Sequence, residues 1–483
     1  MHKKIKCLYT VNNSKCFSKE GILVDFWLDF PSHLLSQDFE LQIIQPYYDE
    51  VEKLNISLEK LDREITLTLG ERQCKLEFLK GILHNKIPII FIKCNIFDHN
   101  LSNFDDIVME DFDLIYQISF FNHAVLEYIK LNYFIPDVIH CNGFETGLIP
   151  VLIKKLYYNI SIFNKIFTII FIKDFSEQGN FDPSYFGITG LPWTCYNLYE
   201  MEFWGNFSLL KAGIIFSDGV LFWSNKKNMK YYIEEHSFGF KGILENRKKT
   251  FWTFPVGVDY SKLKCNYSLR NYEKNKIINK KKLIDKLNLK IKPSLPLIAL
   301  VGSLELYTHD EKFDSFIDIL YDLDVGFIIC GSVNKKIITH SRNYSKAYRD
   351  KFGFITSLDN KHLSNILGSC DMLLITKLQE KFPLLHLYSL GYGTIPIVSN
   401  LYAITEGIER YNYSTMIGNG FCFETGNISA LLGKIITATN IMYHEKHSTF
   451  IIKNAMKTNF NINDSVRKYT QIIKTIINRK SVK

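Results

Sequence analysis

The sequence predicts an α/β protein of two halves, each a parallel sheet with helical crossovers. Three observations predict it. Short, continuous apolar runs alternate with stretches of helical periodicity. The alternation stops in a Lys- and Asn-dense stretch, Lys264 to Lys292, and then restarts. The chain has 483 residues, too many for one ordinary domain of roughly 150.

The elements follow in order. Ile5 to Val11 is a short apolar run before a polar loop, and reads as a first strand. Gly21 to Leu35 spreads its apolar residues as a helix does, and Leu41 to Gln45 is again strand-like. Val138-Ile139-His140 ends a strand, and Thr146 to Leu156 reads as a helix after a polar loop. Phe167 to Lys173 is apolar almost throughout, the pattern of a strand buried on both faces. Val220 to Ser224 is a further strand, followed by a Lys-rich helix, Lys226 to Glu235. The break carries a helix, Asn279 to Leu287, and then Pro293 and Pro296. Beyond it come strand Leu297 to Gly302, helix Lys312 to Leu323 and strands Gly326 to Cys330 and Met372 to Thr376. A helix around Leu384 to Leu390, strand Thr394 to Ser399 and a C-terminal helix, Val466 to Ile477, complete the pattern. Parallel sheets of this kind bind ligands at strand C-termini, so the two halves predict parallel sheets facing across a central cleft.

Composition excludes several classes. The chain is 46% hydrophobic and 22% charged, which is globular rather than disordered. A net charge of +8 is too mild for a nucleic-acid footprint on a chain of this size. The longest apolar run, Ile166 to Ile172, falls far short of the roughly 20 residues of a membrane span. The ten cysteines include no C-x-x-C pair, so zinc and redox motifs are unsupported. Free thiols in a reducing cytosol are expected. Aromatics reach 14%; core packing accounts for most of them, and sugar stacking is a further use. No G-x-G-x-x-G follows the first strand, which speaks against a dinucleotide enzyme.

Several stretches match one family in order. His140-Cys141-Asn142-Gly143-Phe144-Glu145-Thr146-Gly147-Leu148 resembles H-x-(N/H)-D-W-H-(T/A)-G-L of the bacterial glycogen synthases and plant starch synthases. Gln178-Gly179 with Phe181, Gly190-Leu191-Pro192-Trp193 and Glu202-Phe203-Trp204-Gly205 are similar to its Y-Q-G-x-F, G-L-P-W and E-F-(Y/W)-G. Leu210-Lys211-Ala212-Gly213 with Asp218, Gly257-Val258-Asp259 and Tyr388 to Pro396 resemble further blocks. Lys19 to Asp25 stands where the family has K-T-G-G-L-(A/G)-D. The resemblance implies a GT-B fold of two Rossmann-like domains. It places an acceptor-side domain at 1–263, a nucleotide-sugar domain at 264–460 and a C-terminal helix at 461–483.

The implied chemistry is retaining transfer of glucose from ADP-glucose or UDP-glucose to the non-reducing end of an α-1,4-glucan. Such a transfer builds negative charge on the leaving diphosphate, so the protein must supply cations and oriented N–H groups. By the resemblance, Glu380 matches the carboxylate that contacts the donor sugar. Lys19, Gly21, Asp25, Lys312, Leu384, Leu385, Tyr392 and Thr394 stand at donor- and phosphate-binding positions. Four positions depart from the pattern. Glu145 and Lys173 replace histidines, Val256 replaces an asparagine, and Ser303 opens a stretch without the family's arginine; no arginine lies between Arg270 and Arg342. Pro383 replaces a glycine of the phosphate loop and removes an N–H.

Three readings stay open. One is the glucan synthase, with α-glucan and a nucleotide sugar as partners, no cofactor, no metal, no nucleic acid and no membrane. Another is a catalytically degenerate relative that acts as a glucan- or partner-binding scaffold. The last is a GT-B enzyme with a different donor or acceptor. The expected location is the cytoplasm, or the plastid stroma in a plastid-bearing cell.

Overall fold

A computed structural model describes residues 4–12, 26–35, 38–83, 86–97, 111–224, 233–234, 237–301, 318–330, 342–355, 358–376, 384–400 and 407–480. The chain forms two compact units. One contains Trp27–Val256 with the first strand and Ile462–Lys483; the other contains Gly257–Asn461.

Unit 1 carries β1 (Ile5–Thr10), α1 (Phe26–Leu34), β2 (Phe39–Pro46), β3 (Glu59–Lys60), β4 (Ile65–Leu69), β5 (Arg72–Ile82) and β6 (Pro88–Lys93). It continues with α2 (Asp111–Lys130), β7 (Val138–Asn142), α3 (Leu148–Lys155), β8 (Phe167–Ile172), β9 (Asn180–Phe181), β10 (Glu202–Phe203) and β11 (Asn206–Ser208). It then runs through α4 (Leu209–Phe216), β12 (Gly219–Trp223), α5 (Lys241–Asn246) and β13 (Phe251–Phe254). The main sheet runs β13-β12-β8-β7-β1-β2-β6-β5-β3, with β4 paired to β5. It is parallel from β13 to β6, and β5 then turns it antiparallel. The parallel strands are buried on both faces; β8 and β12 are buried at every residue. Strand order reverses at β1, between β2 and β7. That makes the C-terminal ends of β1 and β7 the topological switch point of the sheet.

The helix expected over Gly21 to Leu35 appears as α1, and its Gly21–Asp25 part lies outside the described residues. The same holds for most of Lys226 to Glu235. The expectation of free thiols fails for one pair: Cys74 on β5 and Cys94, just past β6, are joined as a disulfide with Cα atoms 6.3 Å apart. The cause is strand pairing, since β5 and β6 run side by side antiparallel. Cys7, Cys141, Cys195, Cys265, Cys330, Cys370 and Cys422 are free.

Unit 2 carries α6 (Tyr272–Lys286), β14 (Leu297–Val301), β15 (Gly326–Cys330), β16 (Phe352–Ile355), α7 (Asn360–Ser369) and β17 (Met372–Ile375). It continues with α8 (Leu385–Gly391), β18 (Ile395–Ser399), β19 (Phe421–Phe423), α9 (Ile428–Tyr443) and α10 (Glu445–Lys457). Its sheet is wholly parallel in the order β16-β15-β14-β17-β18-β19. Numbered within the unit, that is 3-2-1-4-5-6, the Rossmann order, with its switch point between β14 and β17. Of the helix expected over Lys312 to Leu323, residues 318–322 are helical and the rest lies outside the described residues.

The last helix, α11 (Ile462–Lys480), belongs to unit 1. Its Tyr469 ring packs edge-on against Phe30 at 5.1 Å and against Phe254 at 6.0 Å. Among the described residues no helix is long and apolar enough to cross a membrane.

Candidate active site

The β7–α3 turn of unit 1 is built by its own sequence. Gly143 has φ 68° and donates its N–H to Phe171 O of neighbouring β8 (3.0 Å). Thr146 Oγ1 donates back to Asn142 O at 2.9 Å, and Asn142 Nδ2 donates to Thr10 O on β1 at 2.8 Å. Gly147 admits no side chain: a Cβ there would sit 2.1 Å from Leu209 O at the start of α4. The turn therefore leaves the sheet in one fixed direction, at the switch point. Asn122 of α2 completes it, donating to Glu145 O at 2.7 Å and accepting from Ile149 N at 3.0 Å.

This turn carries Glu145, where the family has a histidine. Burial, and then the charge of Glu177, push its carboxyl up from 4.5 to about 7, against the opposing pull of Lys173. Lys173 is the first residue past β8. The strand ends thus bring Glu145, Lys173 and Glu177 into one electrostatic group. The sequence pointed to Glu145 and Lys173; Glu177 was missed, since it sits in a loop with no periodic signal. The raised value also changes the reading of Glu145. Near neutral pH its carboxyl is protonated part of the time, and a protonated carboxyl donates a hydrogen bond as an imidazole N–H does. Deeper in the sheet, His140 is structural. Burial lowers its value to about 3, so it is neutral, with its ring stacked on Tyr9 at 4.4 Å.

Val256 is buried at the end of unit 1. It offers no polar atom in place of the family asparagine's side chain. Lys19, Gly21 and Asp25 follow β1 in the chain, and all three lie outside the described residues.

In unit 2, β14 and β17 are adjacent and parallel, with Leu300 beside Leu374. The chain leaves both at the same edge. The segments that follow contain Ser303, Lys312 and Glu380, which lie outside the described residues. Leu384 caps the start of α8, and Leu385 is its first helical residue. Both side chains are buried, so only their main-chain groups could meet a ligand.

Tyr392 and Thr394 require a correction. They stand before β18, at the opposite edge of the sheet, and their polar atoms are engaged internally. Tyr392 Oη donates to Ser364 Oγ at 3.0 Å, and its carbonyl accepts from Tyr267 Oη at 2.8 Å. Thr394 is fully buried, donates to Leu367 O and accepts from Lys276 Nζ at 2.8 Å. Lys276 also donates to Cys370 O, and Lys280 pairs with Asp371 beside it. These residues tie α6 to the N-terminal edge of the sheet. Tyr392 also borders a cavity of about 480 Å³ with Tyr260, Lys264 and Cys265.

Residues 7–246 match the family described as starch synthase catalytic domain, and residues 282–458 match glycosyl transferases group 1. The glycogen synthase of Pseudothermotoga lettingae is 28% identical over 96% of this chain and 97% of its own. That of Thermosipho africanus is 29% identical over the same shares. Among solved structures, the catalytic domain of starch synthase IV from Arabidopsis thaliana, bound to ADP and acarbose, has a TM-score of 0.78 at 19% identity. It covers 98% of this chain and 99% of its own. Sucrose-phosphate synthase from Thermosynechococcus elongatus reaches 0.58 at 11% identity, over 99% and 100%.

The two parallel-sheet units, together with the starch synthase and group 1 matches, place the chain among glycosyltransferases of the GT-B fold. Within that class the chain belongs to the glycogen and starch synthase family, as a divergent member.

Proposed function

We propose that the chain transfers glucose, with retention, from ADP-glucose or UDP-glucose to the non-reducing end of an α-1,4-glucan. The observation that carries this reading is the match, over nearly the whole of both chains, to proteins named glycogen synthase. In this reading Glu380 contacts the donor sugar. Lys312 and the main-chain N–H groups of Leu384 and Leu385 stabilise the leaving diphosphate. Lys19, Gly21 and Asp25 approach the donor from the segment after β1, and Glu145 donates in place of the family histidine. The bond from the anomeric carbon to the diphosphate oxygen breaks, and the acceptor 4-hydroxyl forms the new bond on the same face. The hydroxyl proton leaves with the diphosphate.

The test is incorporation of labelled glucose from each nucleotide sugar into glycogen. Glu380→Ala is expected to lower the rate about 10²–10³-fold, the usual cost of one preorganised polar contact. Turnover that survives the change overturns the role of Glu380.

One observation favours a second reading, a non-catalytic glucan-binding scaffold. Val256 is apolar and buried where the family has an asparagine, and the stretch from 271 to 341 contains no arginine to clamp a diphosphate. Calorimetry separates the two: glucan binding without binding of either nucleotide sugar selects the scaffold.

A further inference from the structure

The family motif H-x-(N/H)-D-W-H has aspartate where this chain has Gly143, and histidine where it has Glu145. Taken one by one, an acid is lost at the first position and a base at the second. The geometry of the turn joins the two changes into one. Gly143 has φ 68° and ψ −173°, a region essentially closed to residues that carry a side chain. In this backbone an aspartate does not fit at 143. The space of its side chain is filled all the same: a Cβ built on Gly143 would lie 2.4 Å from Glu145 Oε2. The Glu145 carboxyl therefore folds back over Gly143 and ends where a side chain at 143 would begin.

Neighbours hold it there. Phe144, between the two, turns its ring onto Gly179, where a Cβ would meet the ring at 2.3 Å. Asn122 Nδ2 donates to Glu145 O at 2.7 Å, and Thr146 Oγ1 closes the turn onto Asn142 O at 2.9 Å. The Glu145 main-chain N–H bonds its own carboxyl. Among the described residues no side chain bonds that carboxyl, and Glu145 is half-buried. The described charges that act on it are Glu177, exposed in the loop after β8, and Lys173, half-buried at the end of that strand.

The carboxyl thus has an oxygen without a side-chain partner, past the C-terminal end of β7. That end is the switch point of the sheet, where ligands of such folds sit. A carboxyl accepts from a hydroxyl whether ionised or protonated, and its protonated form also donates. One side chain covers both motif positions, the acceptor absent at 143 and the donor absent at 145.

We propose that the Glu145 carboxyl takes the place of the motif aspartate and contacts a hydroxyl of a bound glucose unit. The proposal rests on the glucosyl-transfer reading above. Reach is the property that sets it apart, so the test varies length and chemistry separately. Glu145→Gln keeps the reach and both hydrogen-bonding functions. Glu145→Asp keeps the acid on a shorter arm. Glu145→His restores the motif letter without a carboxyl. The full-length wild type and the three variants are titrated calorimetrically with ADP, ADP-glucose, UDP-glucose and maltotriose. The wild type binds at least one glucose-bearing probe, and Glu145→Gln loses no more than about threefold for it. Glu145→Asp and Glu145→His each weaken it about tenfold, equivalent to about 1.4 kcal/mol. Affinity for ADP stays within about twofold throughout, which a general disturbance of the turn would not leave intact. Glu145→Asp or Glu145→His with wild-type affinity for the glucose-bearing probes overturns the proposal. So does a loss for ADP as large as for those probes, or a wild type that binds none of them. Turnover by the wild type is measured alongside. Its absence beside Glu145-dependent maltotriose binding sinks only the transferase reading. Its presence beside affinities that ignore Glu145 sinks only the relocated carboxyl.

Discussion

Glu145 shows how one substitution can be read wrongly from its letter alone. A carboxylate in place of an imidazole looks like an acceptor replacing a donor. Burial and Glu177 instead raise its value to about 7, so the group keeps a proton that the unfolded chain would release near 4.5. Its contribution to stability is full below about 4.5 and is lost as pH rises through about 7. Glutamine carries no such penalty. Glu145→Gln is therefore expected to gain about 1–2 kcal/mol relative to wild type between pH 5 and pH 8, read from urea midpoints. A difference that does not change with pH would remove the electrostatic group from the site. If Glu145 also donates to substrate, glutamine keeps a donor at every pH, and the alkaline fall of the wild-type rate should flatten in the variant.

At the scale of elements, legibility tracked burial symmetry. β8, β14 and β18 are buried on both faces, and their continuous apolar runs read directly as strands. Helix α2 was passed over because most of its residues from Ile115 to Ile129 are buried, which erases the amphipathic stripe. Strand β5 was passed over although Cys74, Leu76 and Phe78 alternate inward, as a half-buried strand should. At the site, the Gly143 to Gly147 turn was legible because its glycines answer a backbone need. Tyr392 and Thr394 were misplaced because a matched motif says nothing about which sheet edge a residue occupies. Helix α11 was legible by its period, but not its anchor. His140 Nε2 faces Asn142 Oδ1 at 3.2 Å, so it carries the proton and Nδ1 accepts from Tyr469 Oη at 2.8 Å. Tyr469→Phe keeps the edge-on packing against Phe30 and removes that donor, together with the contact of the same hydroxyl to Cys7 Sγ at 3.9 Å. It should cost about 1–3 kcal/mol, the price of an unpaired buried acceptor, in chemical denaturation. No measurable loss would mean that water or a ring flip restores a partner.

For the whole molecule, the decisive feature is that the chain enters unit 2 at Gly257 and returns to unit 1 at Ile462. Unit 1 is therefore discontinuous, and α11 packs against its sheet, with Tyr469 on Phe254 of β13. Val466, Tyr469, Ile472, Ile473 and Ile476 of α11 are all buried. Lys474 pairs with Asp38 at 2.9 Å, and the Arg479 guanidinium lies over Trp252 at 5.2 Å. At about 1.5–3 kcal/mol for each buried apolar side chain, this helix contributes on the order of a whole domain's net stability of 5–15 kcal/mol. Unit 2, Gly257–Asn461, keeps its own six-stranded sheet and helices without it. A chain ending at Asn461 should therefore lose unit 1 and retain unit 2. Calorimetry should show the unit 2 transition near its full-length temperature, the other transition gone, and strong binding of an apolar dye from the uncovered face. Two transitions at unchanged temperatures would mean that α11 is dispensable to unit 1. A single transition with all structure lost would mean that unit 2 does not fold on its own core.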